Sequence, residues 1–475
     1  MNEQERYQLG YDLMAEIGSI LYSRLGCFRP NISNISDEAY LHMEETAEAL
    51  IPFPCWDDRL PEDRIVNLRE SISDNHDDSI MLYVILCQLC RQWQISPEML
   101  EYIPPSFKAL NLNWESTGIL VSPKMRSAFD IPDPRRRKLD HFHFTPLDQL
   151  KDFLPAHHIL PSSCILPDQK TLRIAYSPIG NYDALEINPT TYIDQDGLPR
   201  EYFDVAFKSG EIEKLQLEFR RSVQAACHCG ADIFFGPEML TPASCVALER
   251  NPLTGEMVNR WLLETLLECT EKQPWLYVLS NWEKQKNRAF VFNRQGQLIA
   301  AQNKHYAYVD ERKHRQEHLF PSDKQIHVLH VSPIGRICIM ICADFLNPWY
   351  RKTVAEYFDP AVILVPSCSK GMHDFVTASV AELYHGTQTV YGNTCASLHF
   401  FDNPRTAYVD PVGCVACAPS REIAVEKMLA PHTLCGSCQS KPNPCIFSVD
   451  IPLLSRNAEN AGKPIVHAYG EIELR

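Results

Sequence analysis

The sequence predicts a layered α/β domain over residues 170–475, preceded by a mainly helical region over 1–130 and a linker over 131–169. Three observations carry this. After Lys170, short apolar runs that read as strands alternate with amphipathic stretches that read as helices. Before about residue 125, apolar side chains recur at helical spacing. Between Ile131 and Pro167, prolines, the tract Arg135-Arg136-Arg137-Lys138 and scattered histidines interrupt both patterns.

In the N-terminal region, Leu13, Ile17, Ile20, Leu21 and Leu25 form one helical stripe with Gly26 as its terminator. Leu82, Ile85, Leu86, Leu89 and Trp93 form a second stripe, and Ser96-Pro97-Glu98 opens another helix. In the α/β region, strands are expected at Leu172–Ser177, Ile233–Phe235, Trp275–Ser280, Ala289–Asn293, Ile337–Ile341 and Val362–Val365. Helices are expected at Glu211–Ala226 and from Phe375 to about Thr389, and a turn at Gln295-Gly296.

Composition narrows the function. The chain has 475 residues, 45% hydrophobic and 22% charged, enough to bury a sizeable core. Its 45 basic and 60 acidic residues give a net charge of −15, which argues against nucleic acid or an anionic membrane as general partner. The longest apolar run, Ile80–Cys87, falls far short of a bilayer span, and no signal peptide is visible at Met1. A cytoplasmic protein with reduced thiols is expected.

Three strand ends present reactive side chains. Glu238 follows Ile233-Phe234-Phe235, Lys304 follows the apolar run at Leu298, and Cys342 follows Ile337–Ile341. Ligand sites in α/β sheets form at such ends. A carboxylate, an ammonium and a thiol converging there supply a general base, an oxyanion stabiliser and a nucleophile.

The neighbouring residues give the chain a resemblance. Ala231 to Glu238 resembles the Pro-Glu strand end of the nitrilase, or carbon–nitrogen hydrolase, superfamily. Asn287 through Gly296 to Lys304 is similar to that family's hairpin leading into its lysine. Ile341-Cys342-Ala343-Asp344 with Pro348 is similar to its nucleophile elbow, and Val409-Asp410-Pro411-Val412-Gly413 to its late turn. The likeness covers about residues 170 to 455. It implies a four-layer αββα sandwich and cysteine-dependent hydrolysis of a non-peptide amide or carbamoyl carbon–nitrogen bond through a thioester. Glu238, Lys304 and Cys342 would be catalytic, with the Ala343 backbone N–H helping to hold the oxyanion and the Lys304 charge favouring thiolate. Glu311, seven residues after Lys304 in a run of charges, would be the second glutamate that positions the lysine. The resemblance calls for no cofactor. It implies a small amide or nitrile substrate with water, and a homodimer or higher homo-oligomer; the N-terminal helices are free to take a protein partner. A true nitrilase, an acyltransferase and a catalytically silent binding module remain alternatives.

The sequence also departs from the family pattern. Ala343 stands where an aromatic residue is usual, and Ala381-Glu382-Leu383-Tyr384-His385 replaces the usual Ala-x-Glu-Asn stretch. Among the 18 cysteines, Cys414, Cys417, Cys435 and Cys438, with Cys445 beyond, have spacing close to a structural zinc site. Against zinc, Cys414 and Cys417 fit a strand whose side chains face opposite ways. His141, His143, His157 and His158 lack partners at ligand spacing, and Cys227-His228-Cys229 reads as helix-end packing.

Overall fold

The computed structural model describes residues 35–51, 78–92, 118–121, 143–146, 153–160, 169, 171–179, 184–193, 199–252, 255–310, 315–320, 324–331, 334–358, 360–369, 373–383, 387–394, 414–417, 429–430, 445–452 and 465–469, with positions 13, 16–18, 20, 21, 67, 68, 70–72 and 74. The sequence features at Gly26, Ser96–Glu98, Arg135–Lys138, His141, Glu311, Tyr384-His385, Val409–Gly413, Cys435 and Cys438 lie outside the described residues.

Near the N-terminus stand helices α1 (Asp37–Leu50) and α2 (Ser79–Gln92). Ser36 caps α1 by accepting from the Ala39 N–H at 3.2 Å, and Asp78 caps α2 by accepting from Ile80 and Met81 at 3.0 Å each. The expected stripes face one another: Leu13, Ile17 and Leu21 share a buried cluster with Tyr40, Leu82, Ile85 and Leu89. The region is not wholly helical. Strand β1 (Gly118–Val121) pairs antiparallel with β2 (His143–Pro146).

Two seven-stranded sheets dominate the rest. The first runs β12 (Leu298–Asn303), β11 (Lys286–Asn293), β10 (Leu276–Glu283), β7 (Ile233–Phe235), β4 (Thr171–Tyr176), β21 (Ile446–Pro452) and β22 (Ile465–Tyr469). The second runs β20 (Leu429–Ala430), β19 (Cys414–Cys417), β18 (Gln388–Gly392), β17 (Val362–Pro366), β16 (Gly335–Ile339), β15 (Gln325–Val331) and β3 (Leu154–Leu160). A third sheet of four strands joins β13 (Val309–Asp310), β14 (Arg315–Glu317), β6 (Pro199–Phe207) and β5 (Leu185–Ile193). A small hairpin pairs β8 (Glu249–Arg250) with β9 (Met257–Val258).

Strand period two assigns the faces of the first sheet. Ile174, Tyr176, Ile233, Phe235, Leu276, Val278, Ala289 and Val291 enter a core shared with Val328, Ile337, Leu364 and Val390 of the second sheet. Their alternates Ala175, Phe234, Tyr277, Leu279, Phe290 and Phe292 bury instead against helices α3 (Ile212–His228) and α4 (Arg260–Leu267), through Leu215, Phe219, Val223, Leu262 and Leu266. The central strand β17 of the second sheet, flanked by parallel partners, is buried on both faces and carries an unbroken apolar run, as parallel strands do. Packed with them are residues of α5 (Ala343–Leu346), α6 (Pro348–Thr353) and α7 (His373–Leu383).

Two expectations are corrected. The segment 131–169 is not only a linker: Leu154–Leu160 is a strand pairing parallel with β15 along its length. Its Pro155 fits because β3 is an edge strand, hydrogen-bonded on one side alone. The helix expected from Phe375 to about Thr389 is described over His373–Leu383 and does not reach Thr389, because Thr389-Val390-Tyr391 is a β-branched and aromatic run that pairs with β17.

The expected turn at Gln295-Gly296 joins β11 to β12, with Gly296 at φ 66°. A Cβ there would meet Leu263 Cγ at 2.8 Å, so glycine is required twice over. No helix among the described residues is long and apolar enough to cross a membrane.

Candidate active site

Glu238, Lys304 and Cys342 stand just past the ends of β7, β12 and β16. Glu238 and Lys304 come from the first sheet and Cys342 from the second, so the site forms where the sheets pack. The trio is buried: Glu238 and Lys304 are 0% exposed and Cys342 is 4% exposed.

Lys304 is the hub. Its Nζ donates to Glu238 Oε1 at 2.7 Å and to Glu317 Oε2 at 2.6 Å. Asn287 Nδ2 donates to Glu238 Oε1 at 2.8 Å and Glu317 Oε1 at 3.1 Å, and the Cys368 N–H donates to Glu238 Oε2 at 2.8 Å. Glu317 is therefore the second glutamate against the lysine, while Glu311 lies outside the described residues. The third sheet explains this placement. Glu317 ends β14, which pairs parallel with β6 so that Glu317 stands beside Phe203. The Tyr308 N–H donates to Glu317 Oε2 at 2.9 Å and turns the carboxylate inward. The signal in the sequence was a carboxylate just before the apolar pair Leu319-Phe320, outside the charged run.

Cys342 sits on a strained elbow, with φ 46° and ψ −105°, a conformation that costs a non-glycine residue about 1–3 kcal/mol. Its N–H continues the parallel ladder by donating to Pro366 O at 3.0 Å, and its C=O accepts from Phe345 at 3.0 Å. The strand thus passes directly into α5, and Ala343, first in that helix, has an N–H with no partner inside the helix. Asp344 Oδ1 ties the elbow to the Lys304 loop by accepting from the His305 and Tyr306 N–H groups at 2.9 and 2.8 Å. Met239, next to Glu238, is a second non-glycine residue at positive φ, 68°.

Electrostatics here are set by burial. Loss of water, and then the Glu238 charge, push the Cys342 thiol well above its ordinary range, despite Lys304 pulling it down. Lys304 does favour the thiolate, as expected, but loss of water and the Glu238 charge outweigh it. Burial likewise pushes the Glu238 carboxyl up, against the pull of Lys304. Burial works against the Lys304 charge, but Glu238 and Glu317 outweigh it and hold the ammonium well above its usual value. Burial pushes Asp344 up to about 8. The site thus sets a thiol of raised pKa beside a carboxyl of raised basicity and a cation held between two carboxylates, an arrangement suited to proton transfer coupled to attack.

The other sequence candidates whose side chains are described lie elsewhere. Cys414 and Cys417 lie in β19, paired antiparallel with β18, and Cys435 and Cys438 lie outside the described residues. No group of three or more metal-ligating side chains occurs among the described residues. His158 pairs with His327 at 2.9 Å. Cys227 and Cys229 are buried at the end of α3, and His228 meets Glu271 at 3.4 Å.

No family model matches the chain. No curated protein matches it either. Solved structures do. One is a mutant amidase from Nesterenkonia sp. AN1 carrying the acetamide moiety of fluoroacetamide on its active-site cysteine, at 17% identity and TM-score 0.37, covering 62% of this chain and 97% of that one. A second structure of that amidase, described as from the nitrilase superfamily, matches at 15% identity and TM-score 0.35, covering 59% and 92%. The glutamine-dependent NAD+ synthetase from Acinetobacter baumannii matches at 14% identity and TM-score 0.35, covering 60% and 46%. At these identities and TM-scores the chemistry is read from the site itself. The solved structures similar to the chain include nitrilase-superfamily amidases, the family its motifs resemble.

Proposed function

We propose that this chain is a cysteine-dependent carbon–nitrogen hydrolase acting on a non-peptide amide or carbamoyl group, built on a four-layer αββα sandwich. The observation that carries the reading is the buried Lys304 ammonium bonded to both Glu238 and Glu317 beside a cysteine on a strained strand-to-helix elbow. The shared core between the sheets and the helices behind the first of them support the layering. In this reading the catalytic unit begins at β3.

In the reaction, Glu238 takes the Cys342 proton as Sγ attacks the carbonyl carbon. Negative charge develops on the carbonyl oxygen, met by Lys304 Nζ and the Ala343 N–H. Glu238 returns the proton to the departing nitrogen as the C–N bond breaks, leaving a thioester and free ammonia or amine. It then removes a proton from water, which attacks the thioester and releases the acid, and the Cys342 thiol regains its proton. Glu317 holds Lys304 in line.

An ammonia-release screen over amides, carbamoyl compounds and nitriles, with Cys342→Ala beside wild type, tests the reading. Release from amides or carbamoyl compounds that C342A abolishes is the expected result. Activity that survives C342A would sink the mechanism, and turnover of nitriles alone would make the chain a nitrilase.

A further inference from the structure

Lys304 is not the only link between the two carboxylates. Asn287, on β11 and 1% exposed, reaches both with one nitrogen, Nδ2, at 2.8 Å from Glu238 Oε1 and 3.1 Å from Glu317 Oε1. The four side chains close a ring, Glu238–Lys304–Glu317–Asn287. The amide orientation is fixed by chemistry, since an ionised carboxylate only accepts and the donor end must face it. The other end of the amide gains nothing: Oδ1 is buried with no hydrogen-bond partner among the described residues. Leaving a buried acceptor unmet costs stability, so the advantage of asparagine here lies in its N–H2. The Asn287 backbone acts at the same point, its C=O accepting from the Lys304 N–H at 2.8 Å.

We propose that Asn287 is a positioning residue, whose single amide nitrogen clamps Glu238 and Glu317 together and holds Glu238 in place for the Cys342 thiol. The inference rests on Glu238 being the base of the proposed function. It concerns a residue whose amide nitrogen binds the two carboxylates. A donor removed from Glu238 makes the carboxylate harder to ionise, so the base is silent over more of the neutral range.

The test needs no substrate. The rate of iodoacetamide alkylation at Cys342 is followed against pH by peptide mass spectrometry, in wild type and in Asn287→Ala, Asn287→Ser and Asn287→Asp. In N287A, labelling near neutral pH should slow about tenfold and its acid limb should move up by about one pH unit. N287D keeps the shape but replaces the donor by a third carboxylate, and it should shift the limb further than N287A. N287S keeps one donor and should fall between wild type and N287A. An N287D protein that labels at the wild-type rate with the wild-type profile overturns the proposal. If N287D does not fold, identical profiles for N287S and N287A overturn it. Glu238→Gln separates the two levels. Where E238Q labels like wild type, the base assignment itself fails; where E238Q changes the profile and the residue at 287 does not, the clamp alone fails. Combined with E238Q, N287A should add less than twofold, because the group it positions is already gone.

Discussion

The two seven-stranded sheets contribute opposite halves of the chemistry and are built differently. The first sheet is two-faced: alternate residues of β4, β7, β10 and β11 go to the inter-sheet core and to α3 and α4. It supplies the charged half of the site, Glu238 and Lys304, with Asn287 between the carboxylates. The second sheet is apolar on both faces through β17, and it supplies Cys342 and the Cys368 N–H that binds Glu238. Neither sheet holds a working set alone. Glu238 and Cys342 meet only when the sheets are packed, and burial then raises both of their titrations while the two carboxylates raise that of Lys304 against it.

The sharpest way to break the charged half is Glu238→Gln, which keeps the shape and removes the base. Turnover should fall by about 10²–10⁴, with the melting temperature within a few degrees of wild type. Lys304→Met strikes both function and fold. It should lower kcat by about 10²–10³ through the lost oxyanion contact. It also leaves two buried carboxylates without their cation, at about 3–5 kcal/mol in urea unfolding.

The packing between the halves is probed by Gly392→Ala. Gly392 closes β18, and an added Cβ would overlap the Tyr176 ring of the first sheet. Tyr176 is itself held, its OH donating to the Asn393 carbonyl. Overpacking there should cost about 1–3 kcal/mol and lower activity by displacing one sheet against the other.

Asp344 sharpens the comparison through pH. Burial raises its carboxyl from the ordinary 3.8 to about 8. The folded state therefore keeps a proton that the unfolded chain releases, and this contribution to stability declines as pH rises from about 4 to about 8. Asp344→Asn retains the Oδ1 acceptor for His305 and Tyr306 and should be more stable than wild type at pH 8, with a flatter stability–pH curve between those limits. His158 gives the smallest and opposite effect. Burial lowers it to about 4, so its contribution is present above 6.5 and is lost as pH falls from 6.5 to about 4. His158→Gln should remove part of the acid limb of a melting-temperature curve and leave the alkaline side unchanged.

Much of the site was legible because each reactive side chain follows a short apolar strand. Ile233–Phe235 reads directly as β7, and Ile337–Ile341 runs into the elbow. The second glutamate was not legible by distance along the chain. Counting seven residues from Lys304 lands on Glu311, outside the described residues, and Glu317, which does meet Lys304, is placed by the pairing of β14 with β6, more than a hundred residues earlier. The hairpin β5–β6 escaped the reading although Phe203, Val205 and Phe207 alternate, because Pro189 and the polar residues around it mask the period. Likewise β3 carries Pro155 and two histidines, and only its place at a sheet edge makes it a strand. In the sequence Asn287 is only part of a hairpin; its two carboxylate partners are set by where distant glutamates end up.

The central claim is that Cys342 carries the acyl group. Wild-type enzyme quenched in acid during turnover of an amide from the release screen should show the mass of the acyl moiety on the peptide bearing Cys342. C342A should show neither adduct nor ammonia. Turnover with no added mass at Cys342 under any quench time, together with full activity of C342A, would contradict the account.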